Sequence, residues 1–266
     1  MKIKYSEKIV VFIDVLGFSN IVFSKDKIKV QEYFSYIQER FHFHLSERKF
    51  TYVVISDSLV VTTEKNKESL KELIFIMGKI QYELFLKGVL VRGAISFGEL
   101  YINKSKNIIV GQGLINAYKL ENTAKFPRII IDRRIIPEFF SSTSDFLNYL
   151  NKIDEFKITF EFEPYSRILF DNLNIDGKPY INFVRMIVRY SPTYQAKSLE
   201  NIYALFLENY YKNEYFDKYN WLLQEFIREL DLALIHYNNR TDMGTPFNKN
   251  RKIESIKNLK EFFHNL

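Results

Sequence analysis

Short, nearly unbroken apolar runs alternate with stretches in which apolar residues recur every three or four positions, so the first half of the chain reads as strands interleaved with helices. Residues 8–16 are almost all Val, Ile, Phe and Leu, as in a strand buried on both faces, and Gly17 ends them. Between Asn20 and Arg48 the positions Val30, Tyr33, Phe34, Ile37, Phe41 and Leu45 mark one face of a helix. Phe50–Ile55 and Ser58–Thr62 predict two strands hinged at Ser56-Asp57, and Ser69–Leu86 carries a second helical stripe, Leu70, Leu73, Ile74, Met77, Ile80 and Leu84. Val89–Phe97 and Glu99–Ile102 predict a hairpin-like pair around Gly98. A short strand at Ile108–Val110, a helix opened by Gly111-Gln112-Gly113 and running to about Lys125, and a strand at Arg128–Asp132 complete this half. The first six elements are ordered β-α-β-β-α-β, the split unit of an α+β fold.

Beyond Pro137 the periodicity thins. Asp145–Lys152 predicts a short helix, Lys157–Phe162 and Tyr165–Phe170 predict strands, Asp176-Gly177 a turn, and residues 197–238 two long helices. No Ser-, Gly- or Pro-rich linker separates the halves. The expectation is a core at residues 1–137 with a mixed, helix-rich extension at 138–266 packed onto it, and not an independent domain.

Composition narrows the chemistry. Of 266 residues, 47% are hydrophobic and 26% charged, enough apolar mass for a core and too little charge excess for disorder. The net charge of +6 is spread along the chain, which suits a polyanionic ligand as small as a nucleoside triphosphate. The 25 Phe and 18 Tyr accompany abundant Lys, Ile and Asn, a coding bias that removes them as an argument for a nucleic-acid stacking surface. Without cysteine there is no disulfide frame, zinc knuckle or thiol nucleophile. His42 and His44, two apart, fall on different helix faces and read as surface residues. No signal-like or membrane-length apolar run is present, so the expectation is a cytoplasmic protein with no membrane partner.

Two carboxylates stand out against this background. Asp14 and Asp57 each interrupt an otherwise apolar strand end, where an unpaired buried charge costs several kcal/mol. A local cap explains either alone; a shared cation explains both. Mg²⁺ and Mn²⁺ accept carboxylate oxygens and usually hold substrate phosphate as well. After Asp14, the Leu16-Gly17-Phe18-Ser19 turn can aim backbone N–H groups at phosphate.

Phe12-Ile13-Asp14-Val15-Leu16-Gly17-Phe18-Ser19 resembles the F-x-D-I-x-G-F motif of class III nucleotidyl cyclases. Asp57 corresponds to that family's second metal aspartate on its hairpin. Val91–Glu99 is similar to its R-x-G-I-x-x-G segment, and Gly111–Glu121 to its G-x-x-V-N-x-A-x-R-L-E helix. The resemblance spans roughly residues 8–135 and implies a ferredoxin-like, palm-type core acting as a head-to-tail homodimer. The implied reaction is cyclisation of a nucleoside triphosphate with two divalent cations, Mg²⁺ or Mn²⁺, held by Asp14, Asp57 and the Val15 carbonyl. The departures concern the base. The purine-reading lysine position is Val53, its acidic partner Ile108, the ribose asparagine Ile115 and the transition-state arginine Lys119.

With Ala117–Glu121, Phe126–Asp132 and Lys218-Tyr219-Asn220-Trp221-Leu222, the chain is similar to the short bacterial cyclases of Pycsar antiphage systems. That resemblance implies UTP, favoured over CTP, as substrate, and a cyclic product read by a separate cyclic-nucleotide-binding effector. A purine cyclase and a silent nucleotide-binding relative are the alternatives. Tyr52, beside the altered lysine position, is expected to contact the base. Arg92 is expected to meet a pyrimidine carbonyl or else to pair with Glu99. Lys119 is expected to supply transition-state charge to the partner's site, or else to be a solvated helix residue.

Overall fold

A computed structural model describes residues 4–18, 23, 27–45, 50–103, 106, 108–151, 170–171, 178–194, 196–239 and 246–266. The strands predicted at 157–162 and across 165–169, and the Asp176-Gly177 turn, lie outside these residues.

The central strand is β1 (Ser6–Val15), which pairs antiparallel with β3 (Ser58–Glu64) on one side and β4 (Val91–Asn103) on the other. β2 (Thr51–Ile55) flanks β3 through a two-residue hairpin, and β6 (Ile129–Ile131) runs parallel to β4. The order continues through β8 (Tyr180–Ile181) and β7 (Phe170–Asp171), giving β2-β3-β1-β4-β6-β8-β7, while β5 (Ile108–Val110) pairs with the far end of β4. Within it, β2-β3-β1-β4 with its two intervening helices is the ferredoxin-like arrangement expected from the element order. The fold is α+β, with a helix-rich C-terminal region.

Strand periodicity decides which side of the sheet each residue serves. Ile9, Val11, Ile13 and Val15 face one way, onto α1 (Lys27–Leu45) and α2 (Lys67–Phe85), where Ile37, Phe41, Leu45, Leu73 and Met77 close the core. All six residues of the α2 stripe are buried, and the helix starts where Asn66 accepts a hydrogen bond from the Ser69 amide at 2.8 Å. Val10, Phe12 and Asp14 face the other way. Val10, Val60 and Leu100 there meet Ala117 of α3 (Gln112–Glu121).

Two expectations change. Gly98 does not turn the chain: β4 runs unbroken for 13 residues. Gly98 instead lets α3 approach, since a Cβ there would lie 3.0 Å from the Gly113 amide nitrogen. His44 is buried and pairs with Glu83 at 3.0 Å, whereas His42 is exposed.

Past α4 (Ile135–Phe139) and α5 (Thr143–Asn151), the two long helices expected over residues 197–238 are α7 (Ala196–Asn209) and α8 (Phe216–Asn239), flanked by α6 (Phe183–Tyr194) and α9 (Pro246–His264). Their apolar faces, with Phe206, Phe226, Leu230, Leu259 and Phe263, form a second core continuous with Ala94 and Ile130 of the sheet. The join is marked by Arg128, fully buried, whose guanidinium lies 5.5 Å from the Phe126 and Tyr180 rings and 5.9 Å from Trp221. Such cation–π contacts gain strength when desolvated.

Candidate active site

Asp14 is the last but one residue of β1 and the last on its face, and the register puts Ser58 of β3 and Arg92 of β4 directly beside it. Its carboxylate accepts a hydrogen bond from Ser58 Oγ at 3.4 Å, and Arg92 Nη2 stands 3.5 Å from its other oxygen. Asp57 occupies the β2–β3 hairpin one residue before Ser58, so the tight turn brings the second carboxylate to the first. Ser56 supplies the positive φ, 56°, that primed hairpin loops need, an uncommon conformation for a residue with a Cβ.

Electrostatics define the site. Burial, and then the neighbouring Asp57 charge, push the Asp14 carboxyl above the usual carboxylate range against the pull of Arg92 and Ser58. Glu121, the last residue of α3, joins the cluster with its carboxylate almost wholly buried and ion-paired to Arg92 Nε. Its carboxyl is raised too, by burial and by Asp14, with Arg92 opposing. Asp14 and Glu121 thus share the guanidinium of Arg92, with Asp57 beside Asp14. Burial, and then the Arg92 charge, lower the pKa of Lys218 at the start of α8 against the pull of Glu214, and three carboxylates here stand against two cations.

This donor set suits a hard divalent cation that is completed by something else. Among the described residues no three His, Asp or Glu side chains gather as a metal cluster. Two adjacent carboxylates with a local negative excess are nonetheless the usual protein share of a Mg²⁺ site whose remaining positions go to water and substrate phosphate. Asp14 and Asp57 would hold the ion, and the Val15 carbonyl stands at the adjoining strand end.

The predicted residues are not all brought together. Leu16 donates its amide to the Leu90 carbonyl at 2.8 Å, so a phosphate cradle would begin at Gly17 and continue through Phe18 to Ser19, the last lying outside the described residues. Gly17 has φ 82°, and the Phe18 ring packs edge-on against Phe34 at 5.6 Å. Tyr52 is on the wrong side: it pairs with Val61 and packs into the α1–α2 core, whereas its neighbour Val53 pairs with Val60 on the Asp14 face. Adjacent strand residues point to opposite faces, so Tyr52 cannot serve the base from there. Arg92 does not pair with Glu99. Seven residues along β4 is an odd step and roughly 23 Å, opposite in face and out of reach; Glu121 is the partner instead. Lys119 is exposed on α3 beside Tyr118 and Ile115, outside the Asp14 cluster.

Glu121 is the functional candidate that the sequence reading left without a role. It was visible as the final glutamate of the Gly111–Glu121 motif, but nothing in the spacing shows that it closes on Arg92.

No protein-family model matches the sequence, and no curated protein does. Solved structures with a similar course include the adenylyl cyclase CyaB from P. aeruginosa, 13% identical, covering 51% of this chain and 81% of that one with a TM-score of 0.41. The guanylyl cyclase domain of the RhoGC fusion protein from the aquatic fungus Blastocladiella emersonii is 13% identical over 68% of this chain and 96% of its own, with a TM-score of 0.46. The catalytic core of a rhodopsin-guanylyl cyclase with converted specificity, in complex with ATPαS, is 14% identical over 68% and 98%, with a TM-score of 0.43. Likenesses this distant assign no activity; the functional reading rests on the residues of the site.

Proposed function

We propose that this chain is a metal-dependent nucleotidyl cyclase of the class III type, acting on UTP in preference to CTP and serving antiphage signalling through its cyclic product. The observation that carries the reading is Asp57, in the hairpin turn one residue before Ser58, the register partner of Asp14, with its charge acting on the Asp14 carboxyl next to a positive-φ glycine turn. In the proposed reaction the ribose 3′-oxygen attacks the α-phosphorus, the O3′–P bond forms as the bond to the β-phosphate oxygen breaks, pyrophosphate leaves, and the hydroxyl proton passes to water. Bound divalent cations would supply the acidity of the 3′-hydroxyl and neutralise the triphosphate.

The chain's own residues do the positioning. Asp14 and Asp57 fix the reacting end at the C-terminal end of the central strand, and the Gly17 turn receives the phosphates. Arg92, buttressed by the buried Glu121, keeps a planar donor at the rim of the site that can meet a pyrimidine carbonyl once Asp14 turns to a cation. The pyrimidine preference is supported by Val53, which lies on the Asp14 face and offers a base neither donor nor acceptor. A site built to hydrogen-bond a purine would place polar groups there, and their absence costs such a site most of its discrimination. Two such sites on a head-to-tail homodimer, with Lys119 supplied across the interface, complete the proposal.

The test is purified protein with Mn²⁺ and each of the four nucleoside triphosphates, products resolved by chromatography. Cyclic UMP or cyclic CMP with stoichiometric pyrophosphate is expected. Cyclic AMP or GMP would remove the pyrimidine assignment, and no product from any of the four would remove the enzyme.

A further inference from the structure

The loop between α7 and α8 belongs to the C-terminal region, yet it ends at the phosphate turn of the core. Tyr215 covers Gly17: a Cβ built on the glycine would sit 3.6 Å from the tyrosine Oη and 3.8 Å from Cε1. Backbone bonds from the Tyr215 amide to the Lys212 carbonyl, and from the Lys218 and Tyr219 amides to the Tyr215 carbonyl, lock this tyrosine at the entry of α8. The half-buried Lys218 places its ammonium 5.3 Å from the Tyr215 ring centre, and Lys212 lies 5.9 Å from the same ring. Lys218 is also within electrostatic range of Arg92, which itself touches Asp14, and of Glu214. A half-buried ammonium is thus held beside the ring that covers the Gly17 turn, in the field of a site whose carboxylates outnumber its cations.

We infer that Tyr215 and Lys218 of the C-terminal region form the outer wall of the triphosphate subsite, with the Lys218 ammonium contacting the β- or γ-phosphate and Tyr215 closing over the Gly17 turn. The inference rests on the cyclase reading for the identity of the ligand, but its geometry requires only a polyphosphate beside Gly17. It gives the extension a role in substrate binding supplied by the same protomer, distinct from any charge donated by a partner. Lysine suits this task, since a compact ammonium on a flexible stem can follow a terminal phosphate.

The experiment is titration calorimetry of the full chain in Mg²⁺ with inorganic tripolyphosphate, and in parallel with UMP, on wild type, Lys218→Gln, Lys218→Arg and Tyr215→Phe. Loss of one charge-assisted contact predicts roughly tenfold weaker tripolyphosphate binding by Lys218→Gln, UMP binding within about twofold of wild type, and partial recovery in Lys218→Arg. Tyr215→Phe removes the hydroxyl that closes over the Gly17 turn and is expected to weaken tripolyphosphate binding about threefold with UMP binding unchanged; wild-type affinity removes Tyr215 from the wall. A wild-type near-UV circular dichroism spectrum reports that each variant is folded. Equal tripolyphosphate affinity in Lys218→Gln and wild type overturns the inference, as does an equal loss for UMP. Should no triphosphate be cyclised while the selective tripolyphosphate defect persists, the cyclase reading falls and the subsite stands. Should cyclic product form while Lys218→Gln binds and turns over normally, the subsite falls and the cyclase reading stands.

Discussion

Two groups of buried charge sit on this sheet and its extension, and they are balanced differently. In the extension, Glu229 receives Arg185 Nε at 2.7 Å, Asn182 at 2.8 Å and Arg228 at 3.0 Å, while Glu225 receives Tyr180 at 2.6 Å and Arg228 at 2.7 Å. Two carboxylates meet two guanidinia, with Tyr180 and Asn182 as further donors. At the end of the central strand Asp14 and Glu121 share Arg92, with Asp57 beside Asp14 and Lys218 near Arg92, and burial with mutual repulsion raises the Asp14 and Glu121 carboxyls. A cluster that serves packing neutralises itself, whereas the Asp14 cluster keeps a negative excess that only an incoming cation removes. Asp132 belongs to the first kind: burial opposes its ionisation, yet hydrogen bonds from Arg134 and Ser96 outweigh it and hold the carboxyl below its ordinary value.

The contrast predicts opposite outcomes for the same kind of substitution. Asp57→Ala is expected to lower cyclase turnover by about a thousandfold or more, measured as product formed per minute, with melting temperature unchanged or higher because a repulsive charge has gone. Glu229→Ala should do the reverse. Breaking a buried, hydrogen-bonded pair costs roughly 3–5 kcal/mol, visible as a lower urea midpoint, while the folded fraction keeps its activity.

Asp132 gives a smaller effect with a defined sign. Its folded carboxyl titrates below the unfolded value of 3.8, so its stabilisation is complete above about pH 3.8 and disappears as pH falls through the folded value. Asp132→Asn is expected to be less stable at neutral pH and to lose less stability on acidification than wild type, in paired unfolding curves at pH 6 and pH 3. Smallest of all is Tyr52→Phe, which removes a hydroxyl on the α1–α2 side of the sheet. Turnover and KM within about twofold of wild type are expected; a tenfold rise in KM would return Tyr52 to the site.

The same physics explains what could be read in the chain and what could not. Asp14 and Asp57 were legible because a carboxylate in an apolar strand violates the strand's own pattern, and Leu70–Leu84 because a helical stripe repeats. Tyr52 misled because its position was judged by nearness in sequence to Val53, when a step of one along a strand reverses the face. Gly98 read as a hinge because glycine weakens a strand, but here its missing Cβ admits a helix. Glu99, within the same segment, was the alternative partner offered for Arg92, while its actual partner arrives at the end of α3. The helix α9 carries Ile256, Leu259 and Phe263 at helical spacing, a signal present but diluted by Lys and Asn. The contact of Tyr215 with Gly17 joins residues some two hundred positions apart, and no local pattern encodes it.

The most direct measurement is Mn²⁺ binding followed by electron paramagnetic resonance, with a non-cyclisable UTP analogue present, on wild type, the Asp14→Asn/Asp57→Asn double variant and Asp132→Asn. The unbalanced cluster predicts stoichiometric Mn²⁺ uptake by wild type and by Asp132→Asn, and its loss in the double variant. Equal uptake by all three proteins would contradict the assignment of Asp14 and Asp57 as the cation site.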